Sequence, residues 1–368
     1  MEDYQVTIFD PADGNLLYIF DAASLYDLKY SRVLNGIGKL ALTLSSDHID
    51  LFTLDTFVEV TRTSPLSGIL LTEETYLTRI IHRFREGDEE RLIIGGVSLN
   101  HLLKRRLIDP DDDPLSAGGE SIKAGPADSV MRSLALEQMG SLATATRQWP
   151  EFSISAVPGG FQSVGGSWHH ENLLVVFQDL ATRGEVDFEI VRTSGRATRL
   201  EIGIIGLDLT KGTNYPGAPF VLLQPERGNM AEPSLEDNRE KQKNYVYILA
   251  RGQGDDRIVF QVAANTIDAS PYNRIEFKQE ARKAKRGDTA ALLDAADTAL
   301  KDERTPTEFS FATPGTLPGG EYRNDWDFGD KVSIAWGDIE RDVRVTEVEI
   351  TVNEGGEEIE VTTEQLNV

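Results

Sequence analysis

The chain has 368 residues, a formal charge of −24 and no cysteine. That length predicts two to four domains rather than one core, and the missing cysteine excludes disulfides, thiol catalysis and thiolate metal sites. The negative charge argues against gripping nucleic acid through its phosphates, which needs clustered Lys and Arg, and against an anionic membrane surface.

From Tyr4 the pattern is β. Tyr4–Phe9 and Leu16–Phe20 flank Asp13-Gly14, a hairpin turn signal. Asn35-Gly36-Ile37-Gly38 leads into Lys39–Leu44, where Leu40, Leu42 and Leu44 share one face at period two. Phe57–Thr63 and Ile69–Glu73 follow, with Ser64-Pro65-Leu66-Ser67-Gly68 between them. Tyr76–Phe84 and Arg91–Ile94 are separated by the turn Glu86-Gly87-Asp88. Six or more short strands at this spacing predict a barrel or sandwich.

At Gly95-Gly96 the period changes. Ser98 is placed to cap a helix whose Leu99, Leu102, Leu103 and Leu107 line one face, with Lys104, Arg105 and Arg106 in its last turn. Asp109-Pro110-Asp111-Asp112-Asp113-Pro114 stops it. A second helix is predicted from Pro126 to Gly140, with Val130, Met131 and Leu134 inward. A third spans Glu171–Arg183, with Leu173, Leu174, Phe177 and Leu180 inward and Gly184 ending it. The Gly/Ser/Pro-rich stretch Pro158–Ser167 between them reads as loop.

β patterning returns at Val186–Arg192, Arg199–Ile205 and Phe220–Leu223. The polar segment Pro225–Lys243, with Pro225 and Pro233, reads as a surface excursion that contacts a partner or another subunit. Tyr245–Leu249, Arg257–Val262 and Arg274–Lys278 follow, with Gly252-Gln253-Gly254 as a turn. After the basic run Arg282–Arg286, an Ala- and Leu-rich helix over Asp288–Leu300 should bury Leu292, Leu293, Ala296 and Leu300. Phe309–Phe311, Lys331–Trp336 and Asp342–Val352 are again strands. In the last, Val343 and Val345 alternate, then Val348, Ile350 and Val352 alternate on the opposite parity. A one-residue slip near Thr346-Glu347 implies a β-bulge. Asn353–Gly356 turns the chain into a return strand at Ile359-Glu360-Val361. No tandem repeat at fixed period is present.

The chemistry-bearing patterns are sparse. The five histidines, His48, His82, His101, His169 and His170, form no His-Glu-x-x-His. His169-His170 is the best candidate for metal ligation, but neighbours on a strand point to opposite faces. Asp109–Asp113 lacks the spaced ligands and closing Glu of an EF-hand, and reads as a solvated helix stop. No phosphate-binding loop, dinucleotide fingerprint or nucleophile elbow occurs. No catalytic, cofactor-binding or metal residue is therefore assigned, and no cofactor is expected. The N-terminus Met-Glu-Asp-Tyr-Gln lacks the basic and apolar regions of a signal peptide, and no apolar run approaches the ~20 residues of a membrane span. A soluble, unsecreted chain without membrane insertion is expected.

Several ordered pieces together resemble the siphophage tail-tip, or baseplate, hub proteins (Gp37-like tail proteins). They are similar to the N-terminal hub region of tail-associated lysins and to the contractile-phage baseplate hub. The pieces are Gly36–Leu42, Pro65–Leu70, Gly95–Arg106, Pro225–Asn229, Asn244–Arg257, Phe328–Val332 and Val345–Val352. The resemblance implies a mainly β fold with α insertions, an α+β arrangement of two tail-tube-like β-barrel domains with peripheral helical and mixed domains. Its implied boundaries are 1–96 for the first barrel and 97–184 for a helical insertion. The second barrel takes 185–225 and 305–368, and a mixed α/β insertion takes 226–304. It further implies a homotrimeric, non-enzymatic virion component at the distal end of the tail, assembled in the host cytoplasm. Such a ring joins a six-fold tube to distal components and closes the DNA channel until ejection. The implied partners are the tail tube or distal tail protein, the tape-measure protein and tail fibre or receptor-binding proteins. DNA would be met only in transit, along a lumen whose negative charge offers no phosphate-binding residues. Tail-associated lysins continue into a cell-wall-cleaving or fibre-like domain. This sequence ends at Val368, so that half is expected to be missing or on another polypeptide. The rival readings are a cell-wall hydrolase, either peptidase or glycosidase, and a carbohydrate-binding module using Trp149, Trp168 and Trp326.

Overall fold

The computed structural model describes residues 4–64, 68–112, 120–149, 151–156, 158–214, 219–236, 240, 242–250, 259–264, 272, 274–281, 289–302, 308–313, 319–353 and 355–366. The Pro65-Leu66-Ser67 tip, Asp113-Pro114, the Gly252-Gln253-Gly254 turn and the basic run Arg282–Arg286 lie outside them. The fold is mainly β with a few helices. Two compact units divide it: Met1–Ser234 with Ser310–Val368, and Leu235–Phe309.

Seven strands arise from the first hundred residues: β1 Tyr4–Phe9, β2 Leu16–Asp21, β3 Asp27–Val33, β4 Lys39–Ser45, β5 Phe57–Thr63, β6 Leu70–Glu86 and β7 Glu89–Ser98. Next come α1 His101–Lys104, β8 Ser121–Pro126, α2 Ala127–Gln138, β9 Phe152–Ile154, β10 Ser163–Trp168 and α3 Leu173–Gly184. The chain continues through β11 Asp187–Ser194, β12 Ala197–Gly203, α4 Lys211–Asn214, β13 Leu222–Leu223 and β14 Ala231–Glu236. β15 Tyr245–Ala250, β16 Val259–Ala263, β17 Glu276–Ala281 and α5 Thr289–Asp302 follow. The last strands are β18 Glu308–Thr313, β19 Lys331–Trp336, β20 Ile339–Asn353 and β21 Gly356–Gln365.

One 13-stranded sheet joins the two ends of the chain, in the order β14-β18-β21-β20-β3-β4-β7-β6-β5-β1-β2, with β19 on β20 and β13 on β19. Its hinge is the slip expected in the last long strand. The β20–β21 register shifts between Val345 and Glu347. Before the slip, β20 pairs with β19, and after it the same edge pairs with β3. Because one extra residue reverses side-chain parity, Val343 and Val345 and then Val348, Ile350 and Val352 all remain buried.

Several expectations are corrected. The runs Ile69–Glu73 and Tyr76–Phe84 are one strand of 17 residues. β3 carries a charged or polar residue at every other position or closer, so its pattern does not predict the strand found there. Gly95-Gly96 does not end β7, which continues to Ser98. A Cβ at Gly96 would stand 3.0 Å from that of Tyr76 and 3.2 Å from that of Leu40, so glycine lets two neighbouring strands approach. The helix expected there shrinks to the single turn of α1, and Leu107 is 48% exposed. Part of the expected loop Pro158–Ser167 is β10, paired with β8. Within the Pro225–Lys243 segment, Pro225–Arg227 forms a 3-10 turn, Met230 is buried and Ala231–Glu236 is an edge strand.

The helices α2 and α3 form where their apolar spacing predicts. Val130, Met131 and Leu134 of α2 and Leu173, Leu174, Phe177 and Leu180 of α3 are buried together with Phe188, Ile190 and Leu200 from β11 and β12. Each such side chain contributes roughly 1.5–3 kcal/mol of burial. Asn172 caps α3, its Oδ1 accepting from Leu174 N–H at 3.1 Å. Gly184 is the last residue of that helix, and the left-handed position after it is Glu185, at φ 52°. In the second unit, α5 covers the sheet β16-β15-β17, packing Leu292, Ala296 and Ala299 on Val246, Ile248 and Ala250. Leu293, expected inward, is 43% exposed because the buried stripe runs 292, 296, 299.

Candidate functional site

The most unusual chemistry is a set of charges that the strands aim inward. Arg62 shares the parity of Val58 and Val60 on β5, and Arg32 that of Leu28 and Tyr30 on β3, so both enter the core. Arg62 is 1% exposed. Its Nε donates to the Tyr4 hydroxyl and to Glu357 Oε2, both at 3.0 Å, and its Nη2 to Glu357 Oε1 at 2.6 Å. The Tyr4 hydroxyl donates in turn to Glu357 Oε2 at 2.6 Å. The two ends of the sequence thus meet in a bidentate, charge-assisted pair.

The segment between β18 and β19 supplies the remainder. Tyr322 O–H donates to Glu73 Oε2 at 3.0 Å. Arg32 Nη1 reaches the Tyr322 hydroxyl at 3.3 Å and Asp327 Oδ1 at 3.4 Å, and its guanidinium lies 4.5 Å above the Phe328 ring centroid. Arg323 donates to Asp327 Oδ2 at 2.6 Å and to the Thr72 carbonyl at 3.0 Å, with Glu73 at 3.5 Å. Three arginines, Arg32, Arg62 and Arg323, therefore face three carboxylates, Glu73, Asp327 and Glu357. Burial pushes the Glu73 carboxyl up, opposed by Arg323, Arg32 and Arg62. Burial likewise raises the Tyr4 and Tyr322 hydroxyls. Carboxylates so engaged are suited to fixing strands in place.

Residues singled out in the sequence fall elsewhere. His169 and His170 are exposed at a bend after β10. They are not on a strand, and with His170 at φ 63° their ring centroids lie 4.4 Å apart. Among the described residues no group of three or more His, Asp or Glu is arranged to hold a metal. His101 Nδ1 accepts from Arg105 at 3.1 Å, and burial and that arginine lower its pKa. His48 packs against Tyr18 and Phe20, and His82 stacks on Phe84. Asp109 Oδ2 is held by Arg147 at 2.8 Å. Trp168 and Trp326 are buried and Trp149 lies half-buried under Arg106, so these rings are packed rather than presented. Arg32, Arg62, Glu73 and Glu357 were missed. Only Arg62 carried a signal, as a charged residue at the inward parity of Val58 and Val60, whereas β3, β6 around Glu73 and β21 are too mixed to give one.

The family model described as Siphovirus ReqiPepy6 Gp37-like protein matches residues 5–363. Among solved structures, the chain is similar to the tail protein from Neisseria meningitidis MC58, with TM-score 0.62 and 13% identity over 99% of this chain and 97% of that one. It is also similar to the 43 kDa tail protein of prophage MuSo2 from Shewanella oneidensis, with TM-score 0.58 and 10% identity over 98% of each. A chain of the Francisella PdpA-VgrG complex matches at TM-score 0.55 and 11% identity over 99% of this chain and 52% of that one. No curated relative matches in sequence.

Proposed function

The chain belongs to the Siphovirus ReqiPepy6 Gp37-like protein family, and from that membership we propose that it is a structural protein of a phage tail or tail-like particle. Its place there is the hub of the baseplate or tail tip. The observation that carries the reading is the family match from residue 5 to 363, which reaches every strand of the 13-stranded sheet. In this reading three copies form a ring at the distal end of the tail. Segment 1–96 and segments 185–225 with 305–368 are the two tube-like units, and 97–184 and 226–304 are insertions. The ring joins the tail tube, or a distal tail protein, to the tape-measure protein and to fibres or receptor-binding proteins. It closes the channel until DNA is ejected, and performs no covalent chemistry. The Arg62–Glu357 and Arg32–Asp327 pairs support such a role, since they tie β5 to β21 and β3 to the segment before β19.

Light scattering of the purified chain, with negative-stain images of the same peak, tests this. A mass three times that of the chain and a three-fold ring with a central opening are expected. A monomer that also clears bacterial cell walls in a zymogram overturns the reading in favour of a hydrolase.

A further inference from the structure

A second polar seam lies beside the arginine core, where the free edge of β11 docks on the 13-stranded sheet. The Phe188 N–H donates to Asn35 Oδ1 at 2.9 Å, and the Ile190 N–H to Asn100 Oδ1 at 2.8 Å. Asn35 Nδ2 reaches Asp187 Oδ1 at 3.0 Å, and Asn100 Nδ2 the Gly36 carbonyl at 2.9 Å. Two side-chain amides thus take the hydrogen bonds that a neighbouring strand would otherwise take. Glu189 sits between the two clamped amides. With Glu74 of β6 it lines a small, partly open cavity of about 10 Å³, together with Val33, Ser98, Ile205 and Phe328. That is room for about one water.

The charges around this cavity are unbalanced. Of the charged residues only Glu74 of β6 and Glu189 of β11 line it, while Glu73 acts on Glu74 from the same strand and Glu201 of β12 and Asp327 of the C-terminal segment act on Glu189. The cations nearby are Arg32 and Arg323. Arg32 Nη1 is directed at Tyr322 and Asp327, and Arg323 at Asp327, Thr72 and Glu73. At the ends of the seam, Arg192 pairs with Glu59 and Arg344 with Asp187. Glu74 Oε1 accepts from the Thr75 N–H.

We propose that Glu74 and Glu189 act as a one-proton pair, closing the seam between β11 and the sheet while a proton is held and loosening it when both carboxyls ionise. Like charges facing one small cavity cannot both ionise without cost. Burial pushes the Glu74 carboxyl up to about 7, Arg32 opposing and Glu189 adding to the rise. Burial also raises Glu189. The sign follows from linkage. The folded chain holds a proton that the unfolded chain releases near 4.5. Stability from this group is therefore full below that pH and is lost as pH rises toward 7. The device is acid-closed.

Hydrogen exchange of the Phe188 and Ile190 amides in the full chain, between pH 6 and 8.5 and corrected for intrinsic rate, tests it. Protection should fall roughly ten-fold or more across that range, while amides of β4 stay constant. In Glu74→Gln and Glu189→Gln the fall should vanish. Flat protection in the wild type, or a fall that persists in both variants, overturns the proposal. Should the variants not fold, carbon-13 titration of the wild-type glutamate carboxyls decides. A Glu74 resonance that titrates in the ordinary carboxylate range also overturns it.

Discussion

Replacing Arg62 with methionine keeps much of the side-chain volume and removes the guanidinium. Four bonds are lost, two at 3.0 Å, one at 2.6 Å and a longer one of 3.5 Å to the Tyr322 carbonyl, and Glu357 and the Tyr4 hydroxyl lose their shared donor. Taking one partner from a buried pair costs roughly 3–5 kcal/mol, because the other charge remains. Glu357 keeps 22% of its side chain exposed, so water re-solvates part of it. A loss of about 2–3 kcal/mol is therefore expected, below the fully buried range. For a unit of this size that corresponds to a fall in Tm of roughly 3–5 °C. Urea and thermal melts of Arg62→Met, Glu357→Gln and the double variant measure it. The double variant should lose clearly less than the two singles together, since neither orphaned charge survives in it. A single-variant loss under about 0.5 kcal/mol, the size of an ordinary surface substitution, would refute the claim that this pair fixes the sheet.

Asn100→Ala removes the bonds to the Gly36 carbonyl and the Ile190 N–H, and should cost about 2 kcal/mol in thermal unfolding, with exchange quickened at Ile190 first. Gly206 has φ +88° and its Cβ would stand 2.2 Å from the Gly329 carbonyl carbon. Gly206→Ala should therefore lower stability by roughly 2 kcal/mol or more in the same melts.

How far the fold could be read from sequence depended on whether a strand's faces differ. β4 shows its alternation through Leu40, Leu42 and Leu44, and the Val343–Val352 slip announced both a bulge and its position. Where both faces are mixed, the pattern fails. β3 reads Asp-Leu-Lys-Tyr-Ser-Arg-Val, and only the buried Leu28, Tyr30 and Arg32 reveal its inward side. β10 is rich in glycine and serine and β8 ends in Gly-Pro, residues that ordinarily mark loops, yet the two pair along six residues. The expected helix after Gly96 failed for a different reason. Leu99, Leu102 and Leu103 do bury, but one turn suffices to bury them, and tertiary packing stopped the helix at Lys104.

The site was legible in its parts and not in its pairings. Parity alone places Arg62 beside Val58 and Val60, and a lone arginine there demands a buried acceptor. Nothing local supplies one, since Glu357 lies 295 residues away and is one of 61 acidic residues that sequence cannot rank. The same holds for Glu74 and Glu189. Each is an unremarkable acid on its own strand, and only the docking of β11 against the sheet sets them across one cavity. The inward cation and the inward carboxylate pair have opposite physical consequences. Arg62 and Glu357 form a bidentate pair of opposite charges that ties β5 to β21. Glu74 and Glu189 compete for a proton, so the seam they line is the place where this sheet can respond to its surroundings.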